Sequence, residues 1–165
     1  MNACIGERLL CEYALELVEK GMNVKDIVNI LDEVKKKIVL VAMIDTLEYL
    51  RKGGRISSVV ALAGEMFAIK PLLSVIDGEV KMIGKAIGSK KGNIFINSYI
   101  EKQGGINFDM PHGLIWSGLD DIKLQRYMKQ SSSLFENKDI RIVRLGSTIG
   151  VHIGHGGIGV AFFKK

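Results

Sequence analysis

Proline and cysteine are both scarce, two of each in 165 residues, and there is one tryptophan. Two cysteines, Cys4 and Cys11, cannot build a disulfide scaffold, and a zinc site would need Cys/His company that neither has nearby. If both lie on a first helix, seven positions separate them by about 10 Å along its axis. A disulfide needs Cα atoms within about 7 Å, so two buried thiols in a reducing compartment are expected. Long hydrophobic runs are also missing. The longest strictly apolar stretch is 38–44, seven residues, against the roughly 18 or more of a membrane helix. No basic start followed by an apolar stretch opens the chain, so no secretory or transit peptide is read and the expected location is the cytoplasm. Catalytic patterns are thin as well: there is no Ser-His-Asp arrangement, no catalytic carboxylate pair and no reactive-cysteine signature. Asp120 and Asp121 adjoin where a helix starts and read as caps; His112, after Pro111, has no evident partner.

Glycine is plentiful, at 19 residues. With so little proline, that points to tight turns and close backbone approaches rather than a flexible linker. Hydrophobic residues make up 47% and charged residues 25%, an ordinary globular composition at a length suited to one domain. The net charge is +5, unevenly spread: residues 1–50 carry 6 basic and 9 acidic side chains, 51–102 carry 9 and 4, and 103–165 carry 8 and 5. Such a basic middle permits phosphate contacts. Its lysines and arginines are scattered, however, without the interleaved aromatics of a single-strand stacking surface. An anionic small ligand or an acidic protein partner therefore ranks ahead of nucleic acid, with a solvated basic face as the plain alternative.

Ile5, Leu9, Leu10, Tyr13 and Leu17 recur at helical spacing before Gly21, and Asn23 reads as the N-cap of a second helix with Ile27, Ile30, Leu31 and Val34 on one face. The apolar run 38–44 reads as a buried strand. Asp45 and Glu48 have capping-box spacing for a short helix ended by Gly53 and Gly54. Ser57 can cap a further helix, 59–67, too apolar to be an exposed element. Pro71 opens an extended segment, and Asp77-Gly78 is a hairpin turn into EVKMIGKAI. Residues 90–103 read as an amphipathic helix, GLIWSG as a strand and 120–135 as helical, with IRIV and VAFF as strands around a Gly-rich turn. The interleaving implies a mixed α/β domain.

Three segments could carry chemistry. In DTLEYLRKGGRIS, Gly53 and Gly54 deliver Arg55 beside a helix start, where a guanidinium and backbone N–H groups can meet an anion; a surface arginine after a helix cap is the alternative. In GVHIGHGGIG, Gly154, Gly156 and Gly159 fit G-x-G-x-x-G, yet only six residues follow, and they read as a strand, so the dinucleotide fingerprint fails. His152 and His155 have no carboxylate nearby to complete a metal site. His152 reads either as a hydrogen-bond donor to a ligand or as a loop histidine bonding local backbone. The apolar stretch 59–67, continued by Ile69, could be plain core or the wall of a lipid tunnel.

DTLEYLRKGGRIS, AGEMFAIKPLLSVIDGEV, SKK and IGVHIGHGGIGVAF, in that order, closely resemble the second half of the DegV family of bacterial fatty-acid-binding proteins. The resemblance implies a two-layer mixed β-sheet with helices packed on it. Residues 1–165 would form one C-terminal domain, with 1–37 the helical segment that follows an N-terminal domain absent from this sequence. It implies a long-chain fatty acid such as palmitate as ligand. Arg55 and His152, with Gly53, Gly54, Gly154 and Gly156, would lie at the head group, and Val59, Leu62, Ala63, Met66, Phe67 and Ile69 along the acyl tail. It implies a carrier subunit rather than an enzyme, whose bound acid a separate fatty-acid kinase phosphorylates for phospholipid synthesis. Arg51, Arg55, Lys85, Lys90 and Lys91 would dock that kinase. No metal, further cofactor or membrane insertion is implied. Departures from the family pattern are Ile87, where an arginine is frequent, Val151 in place of threonine, and His155 within the H-x-G-P-G turn. Other expectations are a domain that folds without binding lipid and self-associates through an exposed interdomain face, or a basic nucleic-acid-binding module.

Overall fold

Strand β1 (Ile38–Met43) shows why the apolar run is buried on both sides: its alternate side chains enter different hydrophobic clusters. This is seen in the computed structural model, which describes residues 4–55, 69–136 and 138–165. The helices are α1 (Ile5–Glu19), α2 (Val24–Val34), α3 (Glu48–Lys52), α4 (Gly88–Lys102), α5 (Ile122–Gln130), α6 (Ser132–Phe135) and α7 (Ser147–Ile153). With β2 (Ile69–Ile76), β3 (Glu79–Ile87), β4 (His112–Trp116), β5 (Arg141–Arg144) and β6 (Ile158–Phe163), β1 builds one sheet of order β3-β2-β1-β6-β4-β5. Among the described strands only the β4–β5 pair is parallel.

The mixed α/β sheet is as the sequence implies, and the structure adds helical cover on a second face. On one face, Val39, Val41 and Met43 join Leu72, Leu114, Val160 and Phe162 beneath Ile96 and Ile100 of α4 and Leu124 and Tyr127 of α5. On the other, Ile38, Ile115, Ala161 and Phe163 pack under Ile5 and Leu9 of α1. Further along that second face, Ile44, Leu50 and Leu73 form a small cluster with Ile153 of α7. Each fully buried aliphatic side chain contributes about 1.5–3 kcal/mol.

Local signals explain the joints. The Asn23 side chain accepts a hydrogen bond from the Asp26 N–H at 3.0 Å, capping α2 as expected, although of its apolar face only Ile27 is buried. Asp77 and Gly78 both take positive φ, 55° and 84°, the geometry of a two-residue hairpin turn. Five readings need correction. Asp45 does not cap α3; the Thr46 hydroxyl accepts the Glu48 N–H instead. Cys4 is not helical but sits at φ 61° just before α1. The two thiols are not both buried: Cys4 is half-buried, and Cys11 lies on the exposed side of α1. Of the two adjoining aspartates, Asp120 accepts the Ile122 N–H, while Asp121 makes no side-chain cap. The Gly-rich segment is not simply a turn, because α7 occupies 147–153 and His152 stands in its last turn. The expected helix over 59–67 and its Ser57 cap lie outside the described residues.

Candidate functional site

On the second face, between the α1 and α3 ends, the sheet is open to a cavity of about 250 Å³. Leu40 and Ala42 of β1 and Ile44 just after it floor it, with Leu73 and Val75 of β2 beside them. Residues on the inner side of α7, at the i, i+3, i+4 spacing of one helix face, form a wall: Thr148, Ile149, His152 and Ile153, preceded by Leu145. Cys4, Leu50 and Arg55 complete the rim. The structure thus brings Arg55 and His152, 97 positions apart in sequence, to one apolar cavity.

The polar end is built by close packing. Gly53 follows α3, and a Cβ there would overlap the His152 imidazole. The His152 Nδ1 atom is buried with no hydrogen-bond partner. A buried polar atom left so costs about 1–3 kcal/mol. Arg55 is exposed, its guanidinium donating to the Gly53 carbonyl at 2.8 Å. Gly154 (φ 75°) admits the Tyr49 ring, and Gly156 (φ 78°) admits the Asp45–Lys123 pair. Gly54, at φ 68°, faces open space. Ile69 pairs with Ile87 at the start of β2 and does not line the cavity. Val59, Leu62, Ala63, Met66 and Phe67 lie outside the described residues.

Beside this end, Asp45 accepts hydrogen bonds from Lys70 at 2.9 Å and from Lys123. Burial pushes the Asp45 carboxyl up, but the hydrogen bonds and charges of Lys123 and Lys70 outweigh it, and the net shift is below the usual carboxylate range. From sequence Asp45 read only as a capping-box residue, since its partners are 25 and 78 residues away. Among the expected docking residues, Arg51 is exposed on α3, Lys85 on β3, and Lys90 and Lys91 in the first turn of α4. The pairings Met43↔Leu72 and Ile69↔Ile87 put the ends of β1 and β3, and so α3 and the α4 start, at one end of the sheet. Among the described residues no three His, Cys, Asp or Glu side chains gather as a metal site, and no helix is long and apolar enough to cross a membrane.

An antiparallel-dominated α/β sheet with an apolar cavity on one face, one histidine and one arginine at a single end, defines a domain suited to an amphipathic anion. The family model described as "Uncharacterised protein, DegV family" matches residues 1–165, and the chain belongs to that family. A DegV domain-containing protein of Clostridium perfringens, CPE0026, is 32% identical over 162 residues, which is 97% of this chain and 55% of that protein. The chain thus spans about half the length of the curated relatives it matches. Several solved structures share its fold. A DegV family protein from Thermus thermophilus, described by its fatty-acid binding, has TM-score 0.82 and 24% identity, covering 99% of this chain and 58% of that one. The Streptococcus pneumoniae fatty acid kinase (Fak) B3 protein loaded with linoleic acid has TM-score 0.81 and 19% identity, covering 95% and 55%.

Proposed function

We propose that the domain binds a long-chain fatty acid, carboxylate at His152 and Arg55, chain along the apolar floor of β1. The observation that carries this reading is the junction of an apolar cavity with an unpartnered buried histidine nitrogen and a guanidinium at the same end. A carboxylate matches that end: it accepts from an imidazole N–H and neutralises an arginine, while the methylenes gain about 0.8 kcal/mol each on leaving water. A volume of about 250 Å³ lies just under the ~300–1,000 Å³ of ordinary ligand pockets. In this reading the chain is the C-terminal domain of a carrier, cytoplasmic and non-enzymatic. A separate kinase would phosphorylate the acid for phospholipid synthesis and dock at the basic end formed by Arg51, Arg55, Lys85, Lys90 and Lys91. Support for the kinase is the likeness to the pneumococcal protein and the shared sheet end of those side chains. Self-association is part of the proposal too, supported by the exposed Leu15 and Val18 on α1 and Val24 and Val28 on α2; light scattering checks it.

The test is native mass spectrometry of gently purified protein, followed by soaking with hexadecanoate. A bound acid is expected; none carried and none taken up would overturn the reading. His152→Ala should weaken hexadecanoate about tenfold, equivalent to about 1.4 kcal/mol, while leaving hexadecanol unchanged. Arg55→Ala should cost only a few-fold, because its exposed charge is screened.

A further inference from the structure

The loop that leads from α7 to β6, residues 154–157, rests on a buried serine that does not line the cavity. Ser117 follows β4 and continues its alternation, on the same face as Ile115, which does line it. Ser117 is 3% exposed. Its hydroxyl accepts the Gly157 N–H at 2.9 Å, its own N–H donates to the Gly157 carbonyl at 2.9 Å, and its carbonyl accepts the Gly156 N–H at 2.7 Å. A Cβ at Gly157 would stand 2.8 Å from the Ser117 hydroxyl oxygen and 2.7 Å from Ile153 Cγ2. The loop backbone is therefore wedged between that hydroxyl and the side chain next to His152. At Gly156 a Cβ would overlap Asp45 and Lys123, so the ion pair that ties β2 and α5 to Asp45 also presses on this loop. His152 stands two residues before Gly154, whose φ of 75° turns the chain out of α7. A hydrogen bond between an imidazole and a carboxylate is short, about 2.7–2.9 Å, and weakens steeply off line. Small shifts of the α7 end therefore matter to it.

Resting on the fatty-acid reading above, we infer that Ser117 is a positioning residue of the head-group site: through Gly157 and Ile153 it holds the last turn of α7 so that the His152 imidazole meets the carboxylate. Lys123, through Asp45 and Gly156, holds the same loop from α5. Neither side chain touches the ligand. Their effect falls on the recognition of a carboxylate and not on the burial of the chain behind it.

Affinities for hexadecanoate and hexadecanol are measured on the intact chain and on Ser117→Ala, Lys123→Met, His152→Ala and the Ser117→Ala/His152→Ala pair, with urea unfolding of each. Ser117→Ala should lower the ratio of acid to alcohol affinity at least fivefold and leave the alcohol within twofold. Lys123→Met should lower the ratio two- to threefold, because Lys70 still binds Asp45. The Lys123 side chain is 34% exposed, so this variant tests the assignment even if Ser117→Ala does not fold. Once His152 is alanine, adding Ser117→Ala should leave the ratio within twofold, because a residue acting through another loses its effect when that one is gone. An unchanged ratio in a folded variant, an equal loss of acid and alcohol, or a full further loss in the double variant overturns the positioning role while leaving fatty-acid binding intact. If the parent binds neither ligand, or if His152→Ala leaves its ratio unchanged, the head-group reading falls and the positioning role falls with it.

Discussion

Gly53 and Gly54 are neighbours with different jobs, and the difference is measurable. Gly53 has an ordinary φ of −81°, so its need for hydrogen is steric: the His152 ring occupies the place of its Cβ. Gly53→Ala should cost about 1–3 kcal/mol through overpacking and weaken fatty-acid binding at least tenfold, because the imidazole must move. Gly54→Ala meets no atom and strains only the positive φ, which costs about 1 kcal/mol, and should leave affinity within twofold. Titration against hexadecanoate with parallel urea unfolding separates the two. Asp45 is the second residue whose role depended on distant partners. Its folded-state carboxyl lies below the ordinary value of 3.8, so its stabilisation is complete above that value and fades as pH falls through the lower folded-state value. Asp45→Asn should therefore cost about 1–3 kcal/mol near neutral pH, with the gap to the parent closing below about pH 4. A gap independent of pH from 7 to 3 would sink this account. The local capping-box spacing from Asp45 to Glu48 pointed to a cap that does not form, because Lys70 and Lys123 take the carboxylate once β2 and α5 are in place.

Elements whose signal is local were readable, and those defined by contact were not. The Asp77-Gly78 hairpin and the α2 cap need only four or five neighbouring residues, and both stand where the sequence puts them. Helix α7 is different. Its residues, STIGVHI, include Gly150 and two β-branched isoleucines, poor helix formers in water. It is held because Ile153 joins Leu50 and Ile44, and because the Tyr49 ring fills the space at Gly154. Tertiary packing outweighs propensity there. Between α4 and α5 the same dependence on contact is polar. The Tyr127 hydroxyl donates to Asn97 Oδ1 at 2.9 Å, the Asn97 amide donates to the Ser131 hydroxyl at 2.9 Å, and Asn93 donates to Gln130 at 2.9 Å. Burial holds the Tyr127 hydroxyl protonated, far above its usual range. Tyr127→Phe should cost about 1 kcal/mol in urea unfolding, a small figure because Ser131 still donates to Asn97. Asn97→Leu should cost more, since it leaves the hydroxyls of both Tyr127 and Ser131 without their partner.

Across the whole molecule the sheet divides labour between its faces. Under α4, α5 and α6 lies the larger, close-packed cluster; under α1, α3 and α7 lie two smaller clusters separated by the cavity. A ligand that bridges the two small clusters adds the contacts they lack, whereas the cluster under α4 and α5 is already continuous. Binding at one hundred times the dissociation constant stabilises the folded state by about 2.7 kcal/mol. Amide exchange from α7, α3 and β1 should slow first and most when hexadecanoate is added. Amides of α4 and α5 that open only in global unfolding should slow by the global increment alone. A uniform slowing would mean that the ligand sits elsewhere, and protection confined to α4–α6 would place it on the wrong face of the sheet.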